Sequence, residues 1–266
     1  MKGLLVTALF FICVITSLYG QGELNEQQRI FFRNERTFGF LLNSDGWAVS
    51  YREGKRIDFL NKRLFEIDLG EHKHPKEVKL QNPYYDTPGS FIFGKTHCNT
   101  YIRVGIGRQH EIFKKADLGG VAVRYFYTGG PVLAFYKPIY YKVLYFVSST
   151  EAEIREEKFD ITKHEPSMIY SKSSVTKGLN ETKLLPGLYG KAGFNFEYSK
   201  QDKVLHMIEV GAQVNAYPAQ LPIMATESNK YIYLSLFVSY RLGVVIDPMD
   251  PNSRKFSSIF RRKGNQ

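Results

Sequence analysis

Hydrophobic and polar residues alternate with a period of two along much of the chain. In the stretch YIYLSLFVSYRL (231–242), every second residue from Ile232 to Leu242 is hydrophobic, whereas the residues between them include Ser235 and Arg241. Successive side chains of a β-strand point to opposite faces, so this pattern predicts a strand with one apolar and one polar face. The apolar face of so long a strand must be covered either by protein or by lipid.

The same alternation recurs in about eight segments separated by loops and turn residues. The predicted strands cover residues 36–43, 46–54, 63–71, 96–107, 119–135, 186–199, 204–216 and 229–244. The sequence Asn-Ser-Asp-Gly at 43–46 predicts a tight turn. Short helices are expected only around 150–157 and 166–184. An even strand number suits a closed antiparallel barrel, but it requires 119–135 to be one bent strand. A hairpin turn at Gly129-Gly130 is the alternative.

The N-terminus predicts export from the cytoplasm. Residues 1–20 carry one lysine, an apolar run and small residues before Gln21, which is the pattern of a cleaved secretory signal peptide. No other segment approaches the roughly 20 continuous apolar residues of a transmembrane helix. Cleavage leaves Cys98 as the single cysteine, so no internal disulfide is expected. A net charge of +10 indicates an anionic partner, which for an exported chain excludes nucleic acid.

Two features favour lipid over protein as the cover of the apolar faces. These faces are about 10 to 12 residues long with aromatic residues near their ends, which matches a tilted strand that crosses a bilayer. The polar faces combine charged residues with Gly, Ser, Asn and Tyr, as expected for a crowded interior. The sequence therefore predicts an all-β, eight-stranded antiparallel transmembrane β-barrel in the outer membrane of a Gram-negative bacterium. A soluble secreted barrel that carries a ligand is the alternative.

Loop lengths predict the layout of the chain. A periplasmic segment (21–35) follows the signal peptide, the barrel covers 36–245, and a basic periplasmic tail (246–266) ends the chain. Most of the longer loops lie at one end, which is expected to face outward. The longest, 136–186, either contacts another membrane protein or folds over the mouth of the barrel.

The charged residues on the polar faces are expected to meet inside the barrel. An eight-stranded barrel is just wide enough for side chains to fill it, and buried charges are tolerated when they are paired. The predicted lumenal ion-pair network, which would plug the barrel, comprises Arg52, Glu66, Asp68, Arg103, Arg124, Lys191, Glu197, Glu209 and Arg241.

Several sequence stretches resemble a group of small outer-membrane β-barrel proteins of the Bacteroidota. These stretches are GFLLNSDGW (39–47), KHPKE (73–77), NPYY (82–85), GRQ (107–109), GGVAVRYFYTGGP (119–131) and KPIYY (137–141). The resemblance implies the location and the fold. It also implies a possible role as an accessory subunit of an outer-membrane machine, but no catalytic signature.

Candidate catalytic and metal-binding residues are few. His72 and His74 offer two metal ligands without a third, and His164, Glu165 and Ser167 match no catalytic spacing. Solvated loop side chains are the expected interpretation, with no cofactor, no metal and no enzymatic activity. An enzyme that modifies lipid A or another lipid through a loop histidine is the alternative function.

Basic residues concentrate on the predicted periplasmic side. The inner segments hold Lys55, Arg56, Lys62, Arg63, Arg108, Lys114 and Lys115. The tail supplies a predicted partner-binding set of Arg254, Lys255, Arg261, Arg262 and Lys263. Attraction to anionic head groups and docking of an acidic periplasmic protein both explain this charge. The predicted function is a structural or accessory barrel subunit whose partners are outer-membrane lipids, lipopolysaccharide and another outer-membrane or periplasmic protein.

Overall fold

The alternating segments form the strands of one closed antiparallel barrel. A computed structural model describes residues 34–84, 89–116, 119–146, 152–199, 204–225 and 229–246. The strands in chain order are β1 (Asn34–Asn43), β2 (Gly46–Arg56), β3 (Asn61–His72), β4 (Lys79–Leu80), β5 (Phe91–Ile92), β6 (His97–Phe113), β7 (Ala122–Pro138), β8 (Tyr140–Phe146), β9 (Ala152–Lys158), β10 (Ile169–Lys172), β11 (Lys183–Glu197), β12 (Val204–Ala216) and β13 (Ile232–Ile246).

Eight of these strands make the barrel, in the order β1-β13-β12-β11-β7-β6-β3-β2. This confirms the predicted eight-stranded antiparallel fold. The predicted strand boundaries differ most at β6, which continues to Phe113, whereas β7, β11 and β13 are shifted by up to three residues at an end. β7 is one continuous strand through Gly129 and Gly130, because it pairs along its length with β6 and β11. The hairpin alternative at these glycines is therefore wrong.

The two ends of the barrel differ. We call the end that carries Asn34 and Ile246 the terminal end and the opposite one the loop end. The turn after Asn43 lies at the loop end together with the three longest connections between barrel strands. That tight turn is confirmed: Gly46 adopts a φ of 146°, and a Cβ there would lie 2.0 Å from the carbonyl oxygen of Glu71.

The apolar faces point outward. Leu236 and Val238 are 68% and 53% exposed, whereas their neighbours Ser235 and Phe237 are buried. The outward positions of the other barrel strands are likewise apolar over the middle of each strand, with Phe40, Ile67 and Ile106 as examples. The predicted sidedness, with the apolar face outside and the charged face enclosed, is therefore confirmed.

Part of the predicted external loop 136–186 has regular structure. β8, β9 and β10 form a small sheet in the order β10-β8-β9 at the loop end. The helix expected around 150–157 is wrong for its described part, which is strand β9. Backbone pairing with β8 determines this conformation, although the segment is rich in helix-favouring residues. Within 166–184 the structure has two short 3-10 helices, Pro166–Met168 and Leu179–Glu181, rather than an α-helix.

Candidate functional site

The barrel interior holds all nine charged residues that the alternation placed there. Each is nearly or completely inaccessible to solvent; they are Arg52, Glu66, Asp68, Arg103, Arg124, Lys191, Glu197, Glu209 and Arg241. They reach the interior because each occupies an inward position on a barrel strand. Their contacts form a central cluster and a second cluster near the terminal end.

Glu66 is the centre of the central cluster. Its Oε1 atom accepts hydrogen bonds from Lys191 Nζ at 2.7 Å, Ser50 Oγ at 2.8 Å, Arg52 Nη2 at 3.1 Å and Arg241 Nη1 at 3.3 Å. These four donors come from three different strands, β2, β11 and β13. One carboxylate therefore ties opposite walls of the barrel together.

Glu209 is a second anion in the central cluster. It accepts from Arg52 Nη1 at 2.5 Å, Asn195 Nδ2 at 2.8 Å and Ser239 Oγ at 3.2 Å. Arg241 Nη1 lies 3.4 Å from the same carboxylate. Arg52 and Arg241 thus both bridge Glu66 and Glu209, so these four side chains form one connected unit.

Asp68 extends the network toward the loop end. Its Oδ2 atom accepts from Arg103 Nη2 at 2.9 Å and from Lys191 Nζ at 3.1 Å. Arg103 also donates to the side-chain oxygens of Gln213 at 3.0 Å and Asn215 at 3.3 Å. The polar partners around Asp68 therefore span the barrel from β3 to β12.

The cluster near the terminal end includes a pair that the sequence interpretation missed. Arg124 bonds Glu197, as expected for inward residues of neighbouring strands, and Lys115 lies 2.9 Å from the other oxygen of Glu197. Lys62 bonds Glu35, and both side chains are buried. The sequence interpretation placed these two residues outside the barrel strands. Lys62 lies on the same face of β3 as Glu66, and Glu35 lies on the same face of β1 as Thr37. Extending the alternation to the ends of these strands would therefore have predicted both residues.

Aromatic rings complete the packing of the interior cations. The Arg52 guanidinium lies 4.4 Å from the centre of the Phe126 ring, and that of Arg103 lies 4.6 Å from the Tyr101 ring. Such cation–π contacts stabilise cations away from water. The interior is therefore filled by paired charges and rings together.

Gly105 leaves space for a further aromatic ring in the interior, that of Tyr189. A Cβ at this inward position would lie only 1.8 Å from the Tyr189 hydroxyl oxygen. The absence of a side chain on β6 thus allows the Tyr189 ring to cross the interior from β11.

We predict that Gly105→Ala lowers the free energy of unfolding by about 1–3 kcal/mol, the usual cost of overpacking a filled interior. Gly190→Ala is the matched control, because Gly190 faces outward and an added Cβ would meet only Val214, at 3.6 Å. Urea unfolding of the folded barrel measures both. Equal effects of the two substitutions would contradict the close packing described for Tyr189.

A short apolar segment closes the loop end of the barrel. Leu221 and Ile223 are fully buried in the same cluster as the inward residues Tyr101 and Tyr233. The segment is attached to the start of β6, where the Thr96 backbone N–H donates to the Ile223 carbonyl at 3.0 Å. The segment before β13, rather than the longest loop, therefore covers the interior.

The longest loop packs beside this cover. Phe91, Ile139, Tyr141 and Ile169 form a second apolar cluster beneath the small sheet. The Tyr141 hydroxyl donates to the Ile92 carbonyl at 2.7 Å, and burial raises the pKa of this hydroxyl. The tyrosine therefore remains a donor that holds β5 against β8.

The candidate histidines are buried, so the expectation that they are solvated is wrong. His72 Nδ1 lies 2.8 Å from Asp45 Oδ2, and its ring stacks on Tyr233. Burial raises the pKa of the Asp45 carboxyl, but the hydrogen bond and the charge of His72 lower it by more. The pKa of Asp45 is therefore below its ordinary value. This contact fixes the β1–β2 turn to the end of β3.

His74 and His164 have structural contacts within their own loops. His74 Nδ1 accepts the Lys76 backbone N–H, and His164 Nδ1 accepts that of Asp160. Glu165 and Ser167 are exposed next to His164. Across the described residues, no three His, Cys, Asp or Glu side chains come together as a metal site would require. The histidines therefore owe their burial to loop packing.

The basic residues of the terminal end divide into two groups. Lys62, Lys115 and Arg56 have partners, the last through Glu111 at 3.3 Å. Lys55, Arg63, Arg108 and Lys114 are exposed. The predicted partner-binding residues Arg254, Lys255, Arg261, Arg262 and Lys263 lie outside the described residues, as do the predicted signal peptide (1–20) and the rest of 247–266.

The arrangement is that of an eight-stranded antiparallel barrel with a charged interior and an apolar exterior. No helix in the described ranges has the length and apolar character to cross a membrane. Neither a scan of protein-family models nor a search of curated proteins found a match.

Three solved β-barrel structures are similar to the chain. Neisserial surface protein A is 10% identical and the match covers 80% of this chain and 95% of that one, with a TM-score of 0.35. The N-terminal β-barrel domain of Pseudomonas aeruginosa OprF is 7% identical over 81% and 98%, with a TM-score of 0.34. Ail, the attachment invasion locus protein of Yersinia pestis, is 8% identical over 80% and 95%, with a TM-score of 0.33. Superpositions this loose transfer no property to the chain.

Proposed function

We propose that this chain is an integral β-barrel of a Gram-negative outer membrane, with its terminal end in the periplasm and its loop end outside. In this proposal it is a non-enzymatic structural or accessory subunit with a plugged interior. The observation that carries the proposal is the sidedness of the strands. In a soluble barrel the apolar residues would fill the interior, whereas here they cover the outside and the charges are enclosed.

Exposure of the apolar exterior to water would be unfavourable in free energy, and contact with lipid avoids this exposure. Leu188, Leu234 and Leu236 are each more than two thirds exposed, and they lie on β11 and β13, the two strands on either side of β12. A contiguous exposed apolar surface of this kind marks contact with lipid or with another protein. Because the apolar positions recur on all eight barrel strands, lipid that surrounds the whole barrel is the better match.

The filled interior supports a plugged barrel rather than a pore. The central cluster around Glu66 and Glu209 joins opposite walls, and Leu221 and Ile223 cover the loop end. In planar bilayers we therefore expect no stepwise ion conductance from the purified barrel. A pore of defined conductance would contradict the plug.

The loop end supports a role in protein contacts. Its small sheet is held to the β4–β5 region by Asn82, whose Nδ2 atom donates to the carbonyls of Ser167 at 2.7 Å and Ile169 at 3.1 Å. At the same loop end, Tyr84 and Val175 are largely exposed. A preformed surface of this kind costs little conformational entropy when a partner binds.

Two experiments test the proposal. Fractionation followed by gel migration with and without boiling should find the protein in the outer membrane as a heat-modifiable band. Release as a soluble protein without detergent would overturn the membrane assignment. Affinity purification in mild detergent should then recover a stoichiometric partner, and its absence would overturn the accessory role alone.

A further inference from the structure

Three basic side chains form a row on the outside of the barrel near the terminal end. The backbone register pairs Lys55 of β2 with Arg63 of β3, and Arg63 with Arg108 of β6. All three side chains are exposed on the outward face. Because neighbouring strands are about 4.8 Å apart, the row spans about 10 Å across the barrel wall.

Like charges directly opposite each other on neighbouring strands are destabilising. In the part of the chain that the structure describes, none of the three cations forms an ion pair, although nearby Arg36 and Arg56 have carboxylate partners. An anion bound at the row would therefore relieve the repulsion between these three cations. Such an anion would lie against the outer wall of the barrel rather than in its interior.

The row leads directly into an apolar groove on the same wall. The register continues from Arg108 to Tyr127 of β7, and from Tyr127 to Ala192 of β11. Both Tyr127 and Ala192 line a groove with a volume of about 800 Å³. Small outward residues between larger ones form this open groove; its lining includes Tyr125, Tyr127, Ala192, Phe194, Ala212 and Leu236.

From this continuity we propose that the wall carries a binding site for one anionic phospholipid. Lys55, Arg63 and Arg108 bind the head-group phosphate, and an acyl chain lies in the groove beyond Tyr127. The site rests on the proposed membrane location, since it uses the leaflet that surrounds the terminal end.

The charge distribution around the barrel favours a site over general attraction. On β12 and β13 the corresponding outward positions carry His206, Tyr240 and Leu242, and Tyr198 directly follows β11, so none of these positions holds a Lys or Arg. Unspecific attraction to a charged surface would not require cations on one side alone. A free phosphate ion or an acidic protein would satisfy the cations but leave the adjoining groove without a role.

Native mass spectrometry of the full chain in detergent micelles tests the site. The probes are phosphatidylglycerol and phosphatidylcholine with the same acyl chains. We expect the protein to bind phosphatidylglycerol about tenfold more tightly, because several basic side chains act on one phosphate. Lys55→Gln, Arg63→Gln and Arg108→Gln together should reduce this preference to within about twofold.

Matched variants separate the parts of the proposal. Lys73→Gln, Lys76→Gln and Lys79→Gln remove the same charge from exposed positions of the loop end and should keep the tenfold preference. Ala192→Leu with Ala212→Leu fills the groove and should weaken both lipids. A preference that survives in the first triple variant, or an equal loss in the loop-end variant, overturns the cation row. Unchanged lipid binding in the groove variant overturns the groove.

Further outcomes distinguish the other occupants and the membrane assignment. Displacement of phosphatidylglycerol by millimolar inorganic phosphate would show a phosphate site without an acyl chain and would overturn the proposal. So would an acidic protein that binds through the row while the lipid preference is absent. Gel migration with and without boiling checks the fold of each variant. A folded barrel without the preference refutes this site alone, whereas a wild-type chain that is soluble without micelles refutes the proposed function.

Discussion

Replacing Glu66 with glutamine is expected to lower the free energy of unfolding by about 3–5 kcal/mol, the usual cost of breaking a buried ion pair from one side. Glutamine keeps the size of the side chain, so the loss is electrostatic. Lys191, Arg52 and Arg241 all contact the Glu66 carboxylate, and all four side chains are nearly or fully buried. Removing this anion leaves three enclosed cations with too little negative charge.

The measurement is urea unfolding of the folded barrel, followed by the fluorescence of Trp47, the single tryptophan. Glu153→Gln is the control, because Glu153 pairs with Arg155 while both side chains are more than half exposed. That substitution should leave the free energy of unfolding close to the wild-type value, because water and salt screen an exposed ion pair. A Glu66 variant as stable as the control would contradict the central role of this carboxylate.

A double variant identifies the cause of the loss. Lys191 Nζ bonds only Glu66 and Asp68 among the described side chains. Lys191→Met combined with Glu66→Gln removes one charge of each sign from the interior. Because residues in one network are not independent, the double variant should be less destabilised than the sum of the single variants. Simple additivity would indicate that packing, rather than charge balance, dominates.

The second large effect is expected on the outer wall. Leu236→Arg should destabilise the barrel in a bilayer by about 2–4 kcal/mol, the cost of a lipid-facing arginine near the middle of the membrane. Val175→Arg is the matched control, since Val175 and Leu236 are equally exposed, at 68%, but Val175 lies in the external loop. In a soluble barrel the two positions would tolerate arginine alike.

Unfolding in lipid vesicles measures both variants. The membrane account predicts a large loss at position 236 and a change within about 0.5 kcal/mol at position 175. Similar stabilities for the two variants would indicate that Leu236 faces water. This comparison is sharper than either substitution alone, because exposure is the same and only the surroundings differ.

Much of the barrel could be predicted because strand alternation is a local property. A residue such as Arg241 lies inside for the same reason that Leu242 lies outside, and the periodicity of two reveals both. The side-chain partners are a different matter. Glu66 and Arg241 are far apart in sequence and meet only because the barrel closes, so the sequence predicts the network but not its pairs.

The cover of the loop end could not be read from the sequence. Leu221 and Ile223 belong to a short irregular segment without periodicity, and their burial depends on the attachment to Thr96. Strand β9 could not be predicted for a related reason. Its sequence favours a helix, and it forms a strand because it pairs with β8. Both features arise from tertiary contacts between distant segments.

The central claim is that the apolar face of each strand touches hydrocarbon. A Leu236→Trp variant, made in a Trp47→Phe background and reconstituted in vesicles, tests it directly through fluorescence quenching. The account predicts strong quenching by phospholipids brominated in the middle of their acyl chains and little quenching by aqueous acrylamide. Strong quenching by acrylamide, with no effect of the brominated lipid, would contradict it.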